Sequence, residues 1–397
     1  MARLWQSGFE LNSLTNGVEI ATNNVSGGGA LAVATSPVRT GTYSLRSSNS
    51  GAAGIARANV PVASAGNGPF YYRAYIYIVA LPSALNSVML IWNGTTVRSQ
   101  IRVATDGTLE LWDSTAKIGS SSSALSLNTW YRLELSYFNN TGTSRAELAG
   151  RLDGTEFAST TTSTNTGTAD RISVGFATTN TSYDAYFDDL AVNDSTGSYQ
   201  TSFPGEGKIV HLKPNANGTT NSWTIGAGSG SNYEQVDEVT PDDATTYLRS
   251  RTTNEVDEYA IEAFPGNSYD TINCIGVGFR ATRSAGTTSS GMKVRIRSGS
   301  SIETATTEEL ATNSSFRTND LDTNNASPFS LVSYVSPATS TAWTPTDVDS
   351  AEIGVITSTG SGDRYVHLGT IWASVDYATG TPPAPSTTKT LGLLGVG

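Results

Sequence analysis

Tyr71-Tyr72-Arg73-Ala74-Tyr75-Ile76-Tyr77-Ile78 and Trp130-Tyr131-Arg132-Leu133-Glu134-Leu135-Ser136-Tyr137 are the stretches that decide the fold. In the first, Tyr72, Ala74, Ile76 and Ile78 fall on one side of an extended chain, and Tyr71, Arg73, Tyr75 and Tyr77 fall on the other. In the second, the odd positions are apolar or aromatic and most even ones are polar. Successive side chains of a strand point to opposite faces, so this period-two pattern builds strands with one packed and one wet face. Working outward, similar runs recur at Ser87–Trp92, Arg98–Val103, Arg145–Leu152, Ile172–Phe176 and Tyr186–Val192, and again at Ile272–Arg280, Met292–Arg297, Ala351–Ile356 and Val366–Tyr377. Asn93-Gly94, Asp106-Gly107 and Asp153-Gly154 are hairpin signals between such runs. Ile302–Leu310 carries the sole helical hint.

Composition agrees with strands and turns. Of 397 residues only 15% are charged, with five lysines, 19 arginines and a net charge of −11. Long amphipathic helices need more Glu, Lys and Leu than this chain has. With 37% hydrophobic residues, 7 Trp, 17 Tyr and 11 Phe, the chain has material for real cores. An isoelectric point near 4.7 argues against a nucleic-acid partner. No apolar run reaches the roughly 20 residues of a membrane helix, and the N-terminus carries no signal-peptide pattern. A single cysteine, Cys274, excludes a disulfide framework.

The length suggests two or three domains. A turn-rich passage near Asn193 to Glu206 separates a sandwich at 1–195 from a second at 208–378, with a linker at 196–207. Residues 379–397 form a Pro/Thr linker and an apolar tail. The expected class is all-β, two antiparallel sandwiches or jelly rolls in tandem plus an extended C-terminal tail.

Chemistry is sparse. There is no Gly-x-Ser-x-Gly elbow, no P-loop, no calcium-binding Asp-x-Asp-x-Asp-Gly loop and no Glu-x-Asp-x-x-Glu pair, so the chain reads as a non-enzyme without a catalytic residue or a required cofactor. His211 and His367 sit between apolar neighbours and read as structural. Asp188 and Asp189 are calcium candidates, although adjacent carboxylates on a regular strand point to opposite faces. Tyr71, Tyr75 and Tyr77 line one strand face and are candidates for a glycan platform, the alternative being cross-strand packing. Lys293, Arg295 and Arg297 form a cationic strand face, suited to a partner surface or to protecting an edge. Leu391, Leu393, Leu394 and Val396 suit a tether that docks on a neighbouring subunit, or else a frayed terminus.

Three segments carry a family resemblance. Trp5-Gln6-Ser7-Gly8-Phe9-Glu10 resembles the opening strand of concanavalin-A/laminin-G-like sandwiches. Asn128-Thr129-Trp130-Tyr131-Arg132-Leu133-Glu134-Leu135 is similar to their strand of Trp-hydrophobic-x-hydrophobic pattern, and Tyr186-Phe187-Asp188-Asp189-Leu190-Ala191-Val192 to their closing strand. The stretch from Gly197 to Pro214, with Trp343-Thr344-Pro345-Thr346-Asp347-Val348 and Ile353-Gly354-Val355, resembles tailed-bacteriophage virion proteins that carry this lectin-like domain. The resemblance implies a capsid-surface decoration, fibre or tail component, assembled in the host cytoplasm as a homo-oligomer among other virion subunits. Its alternative is a carbohydrate-binding receptor module for host-surface glycans. It transfers no catalytic residue.

Overall fold

The computed structural model describes residues 2–51, 54–179, 181–284, 290–311, 315–319, 329–359 and 364–382. The tail residues Leu391, Leu393, Leu394 and Val396 lie outside the described residues.

The chain is all-β, and its named strand pairings are antiparallel. Residues 3–193 build two facing sheets. One is eight-stranded, in the order Thr155–Ser163, Arg145–Leu152, Trp130–Asn140, Phe70–Ala80, Ser182–Asn193, Ser44–Ser50, Gly29–Ala34, with Arg3–Ser7 also paired to Ser182–Asn193. The other is seven-stranded and has Asn86–Asn93, Ala169–Phe176 and Ile55–Gly66 near its centre. Residues 208–378 build a second pair, in which Thr271–Arg283 and Val366–Ala378 dominate one sheet and Ser290–Ser298 and Ala351–Thr359 the other.

The alternation read from the sequence sets what is buried. Tyr72, Ala74 and Ile76 have no exposure, and Leu133, Leu135 and Tyr137 pack with them against Met89, Ile91 and Ile172 of the facing sheet. Burying each such large apolar side chain contributes about 1.5–3 kcal/mol relative to leaving it in water. The second core closes around Val277, Phe279, Val294, Ile353 and Ile371. The turns follow their chemistry as well. Asp153 and Gly154 both have positive φ, 49° and 85°, the mirror-image turn that matches strand twist.

Ile302–Leu310 departs from the helical expectation. It holds the strand Ser301–Thr304 and the start of Glu309–Ala311, both paired to Ser290–Ser298. Its Thr-rich composition favours extended backbone, and a neighbouring strand was there to pair with. Among the described residues the one α-helix is Pro345–Asp349, opened by a capping box between Thr344 and Asp347. No helix there is long and apolar enough to cross a membrane.

The two sandwiches are joined through a buried polar seam. Arg3 meets Asp376 at 2.6 Å and Arg73 meets the same carboxylate at 3.3 Å, all three side chains without exposure. Gln6 donates to the Ser374 carbonyl at 2.7 Å, and Leu11 and Val18 pack on Trp372. Burial alone would raise the Asp376 pKa, but Arg73 and Arg3 outweigh it and hold the carboxyl below its usual range.

Candidate functional site

The outward face of the eight-stranded sheet carries Tyr71, Arg73, Tyr75 and Tyr77, as the alternation requires, yet the three tyrosines do not share one surface. Tyr75 is only 4% exposed and lies beneath the Arg39 guanidinium, 3.3 Å from its ring centroid. The linker crosses the sheet here: the amide of Gly205 donates to Glu134 at 2.8 Å, and Glu206 pairs with Arg39 at 2.6 Å and Arg132 at 3.0 Å. Tyr75 therefore belongs to the seam between the sandwiches.

The linker divides the face in two. On one flank Tyr71 packs against Phe203 at 5.0 Å and lines a groove of about 310 Å3 with Ser136, Phe138, Glu147, Glu156 and Ser159. On the other flank, strand register assembles a row. Tyr77 is paired to Trp130 on one neighbouring strand and to Tyr186 on the other, and Tyr186 is paired to Arg46. The Tyr77 ring lies 5.4 Å from Trp130 and 6.3 Å from Tyr186, tilted by 51° and 87°. Arg46 ends the row, reaching Asp184 in a bidentate pair at 2.9 and 2.7 Å. Tyr77 and Trp130 are half-buried and the Arg46 side chain is 43% exposed, so these two rings and the guanidinium are open to a ligand, while Tyr186 is buried behind them with Arg46 5.6 Å over its ring.

Such a row can bind saccharide. Sugar rings present flat C–H faces that stack on aromatic rings, and their hydroxyls take hydrogen bonds from a guanidinium and give them to a carboxylate. Strand alternation pointed to Tyr77, but Trp130, Tyr186, Arg46 and Asp184 join it through cross-strand register, which no single segment encodes.

Asp188 and Asp189 are both fully buried and converge on one side, against the opposite-face expectation. A bulge is the reason: Asp188 pairs with Tyr75 and Ala191 with Arg73, leaving one extra residue in the Ser182–Asn193 strand, and Asp189 takes a φ of 51°. Asp188 accepts from the amides of Arg39 at 2.9 Å and Asp189 at 2.8 Å. Asp189 accepts from the amide of Ile209 at 2.6 Å and the Thr40 hydroxyl at 3.0 Å, and pairs with Arg39. Desolvation and the neighbouring Asp189 push the Asp188 pKa up. These carboxylates are engaged by protein donors, and no cluster of three or more His, Cys, Asp or Glu among the described residues is placed to hold a metal.

On the cationic strand, Arg295 pairs with Glu258 at 3.0 Å, and Arg297 with Glu258 at 2.8 Å and Glu352 at 3.5 Å. The segment is interior to its sheet, flanked by Ala351–Thr359 and Ser301–Thr304, and Lys293 is half-buried on it. His367 stacks on Tyr247 at 4.5 Å, and His211 on Trp372 at 5.7 Å. Burial lowers the pKa of His211 to about 3 and of His367 to about 4, so both rings are neutral at pH 7.

No protein-family model matches the chain, and no curated protein matches its sequence. Solved structures similar to it include an endo-β-1,4-glucuronan lyase from the fungus Trichoderma reesei, with 12% identity, TM-score 0.36, 48% of this chain and 95% of that chain covered. A conserved carbohydrate esterase of a Shiga toxin-encoding bacteriophage has 18% identity and TM-score 0.32, covering 43% and 89%. A galectin-like protein of unknown function from Bacillus subtilis has 13% identity and TM-score 0.33, covering 49% and 96%. The likeness is one of fold. It also corrects one expectation: a lyase and an esterase stand among the similar structures, so the reading of this chain as a non-enzyme is withdrawn.

Proposed function

We propose that this chain is a glycan-recognising protein that seats saccharide on the outer face of its first sandwich. The observation that carries this reading is the Trp130–Tyr77–Tyr186 row ending in the Arg46–Asp184 pair. The Trp130 and Tyr77 rings supply stacking area, buried Tyr186 backs them, and the ion pair supplies a fixed donor and acceptor at one end. The Tyr71 groove, with its hydroxyl and carboxylate lining, offers room for a second part of an extended glycan.

The setting we infer is a bacteriophage particle, with capsid or tail subunits as partners. The resemblance of the stretch from Gly197 to Pro214, of Trp343–Val348 and of Ile353–Val355 to tailed-bacteriophage virion proteins supports that inference. A firmly joined pair of sandwiches suits a particle surface, because the first sandwich is then held at a fixed angle by the second.

A glycan array of bacterial surface polysaccharides tests the function. The full chain is expected to bind a defined subset, and Trp130→Ala to weaken that binding roughly tenfold or more, on the order of one lost aromatic contact. Absence of binding by the unaltered chain, or undiminished binding by Trp130→Ala, would overturn the platform reading. Quantitative mass spectrometry of purified particles tests the setting, which requires a fixed copy number per particle.

A further inference from the structure

A cleft of about 250 Å3 opens between the two sandwiches, remote in role from the aromatic row. The first sandwich contributes Glu10 and Tyr43 to it, and the second contributes His211, Lys213, Glu238 and Glu262. Ligand and active sites favour such junctions, where two rigid bodies can place groups on opposite sides of a bound molecule.

The two walls hold their carboxyl groups differently. Glu10 accepts from the backbone amide of Thr42 at 3.1 and 3.0 Å and from that of Tyr43 at 3.2 Å. Amides only donate, so this environment favours the carboxylate form. Glu238 accepts from two hydroxyls, those of Thr246 and, at 3.3 Å, Thr370. A hydroxyl can turn and accept instead, so Glu238 can keep a proton without losing its partners. Burial raises both carboxyls to about 7, leaving each able to exchange a proton near neutrality. The charged groups around them are Lys213 and Glu262 in the cleft, Asp189 and Glu19 near Glu10, and Asp237 and Asp242 near Glu238.

A further observation singles out the cleft. Both ring nitrogens of His211 are shielded from solvent and have no hydrogen-bond partner among the described residues. The neutral ring carries one donor and one acceptor. A small shift in the wall would let a sugar hydroxyl, itself donor and acceptor, satisfy it.

We propose that this cleft hydrolyses a glycosidic bond, with Glu238 as general acid and Glu10 as general base. The inference rests on the glycan-recognition reading for its substrate class. The step is a single displacement. Glu238 gives its proton to the glycosidic oxygen as the bond from that oxygen to the anomeric carbon breaks, and the leaving sugar departs as an alcohol. Glu10 takes a proton from a water whose oxygen bonds to the anomeric carbon. One water is consumed, nothing is oxidised or reduced, and the two carboxyls regain their starting protonation through solvent. Lys213 and His211 hold hydroxyls of the sugar. The cleft volume limits the occupant to about one sugar ring and its attacking water, so a terminal or branch residue is the substrate.

The test uses the full chain with two probes: the glycans it captures on the array and a panel of p-nitrophenyl monosaccharides. Release of reducing ends and of nitrophenolate is expected, with a bell-shaped pH profile. Glu238→Gln should lower cleavage of captured glycans by about 10²–10⁴-fold while sparing nitrophenyl substrates, whose leaving group needs no proton. Turnover of those substrates also shows that this variant is folded. Glu10→Gln should lose both reactions, with its thermal melt recorded alongside. Array binding without release of any product overturns the catalytic inference and leaves recognition standing. Turnover without array binding supports the cleft and overturns the platform. Equal loss of both substrates in Glu238→Gln overturns the acid assignment.

Discussion

Glu19 is a carboxyl group that the fold leaves little room to ionise. It is 5% exposed, its oxygens accept from the Ser7 hydroxyl and the Leu11 amide, and burial raises its pKa to about 8, with Glu10 adding to the rise. The folded state therefore holds a proton that the unfolded chain releases near pH 4.5. The resulting stability is full below that value and is lost as pH rises towards 8. Glu10, Glu238 and Asp257, each raised to about 7, act in the same direction. Glu19→Gln keeps the shape without the titration. Urea unfolding at pH 8.5 is expected to show this variant more stable by roughly 1–3 kcal/mol, and at pH 5 within about 0.5 kcal/mol of the parent. Equal effects at both pH values would remove the charge as the cause. At this scale the sequence was least legible. Glu10 closes the opening segment Trp5–Glu10 and Glu238 lies in the acidic stretch from Glu234 to Asp243, and nothing in either segment brings them to one cleft. Asp188 and Asp189 were visible as a pair, but their convergence depends on a bulge that alternation cannot foresee.

Strands were the readable elements, because alternation is a local property. Trp130–Asn140 and Phe70–Ala80 lie where their patterns placed them, and the Asp153-Gly154 turn connects its two strands as its chemistry demands. Strands with weak alternation, such as Thr155–Ser163 and Pro214–Asn221, left no such mark, since their polar faces look like loop. The linker is an element of another kind, defined by what it crosses. A Cβ on Gly207 would lie 2.1 Å from a guanidinium nitrogen of Arg73 and 2.4 Å from Asp376. Those side chains are fully buried and ion-paired, so they have no room to withdraw. Gly207→Ala is expected to cost about 1–3 kcal/mol through overpacking, read as a lowered denaturation midpoint with unchanged slope. A neutral result would mean that the linker can lift from the sheet.

The whole molecule depends on charges removed from water at its centre. Asp376 on the second sandwich pairs with both Arg3 and Arg73 on the first, and Asn193 and Gln6 take further donors of Arg3. A buried pair is seldom more stabilising than a well-packed apolar contact, yet removing one partner strands the other at a cost of about 3–5 kcal/mol. Here one carboxylate serves two guanidinium groups, so Asp376→Asn leaves both facing an amide. Each sandwich keeps its own core in that variant, because the apolar clusters around Tyr72 and Val277 are separate. The loss should therefore fall on the coupling between them. Scanning calorimetry is expected to show one unfolding transition for the unaltered chain and two for Asp376→Asn. The same coupling carries a pH signature opposite to that of Glu19. The folded pKa of Asp376 is lowered, so its contribution is present above the unfolded value near 4 and is lost as pH falls through the folded one. Acid should therefore split the transition of the unaltered chain as the substitution does. A single transition surviving in both cases would assign the union of the sandwiches to the apolar contact of Leu11 and Val18 on Trp372 instead.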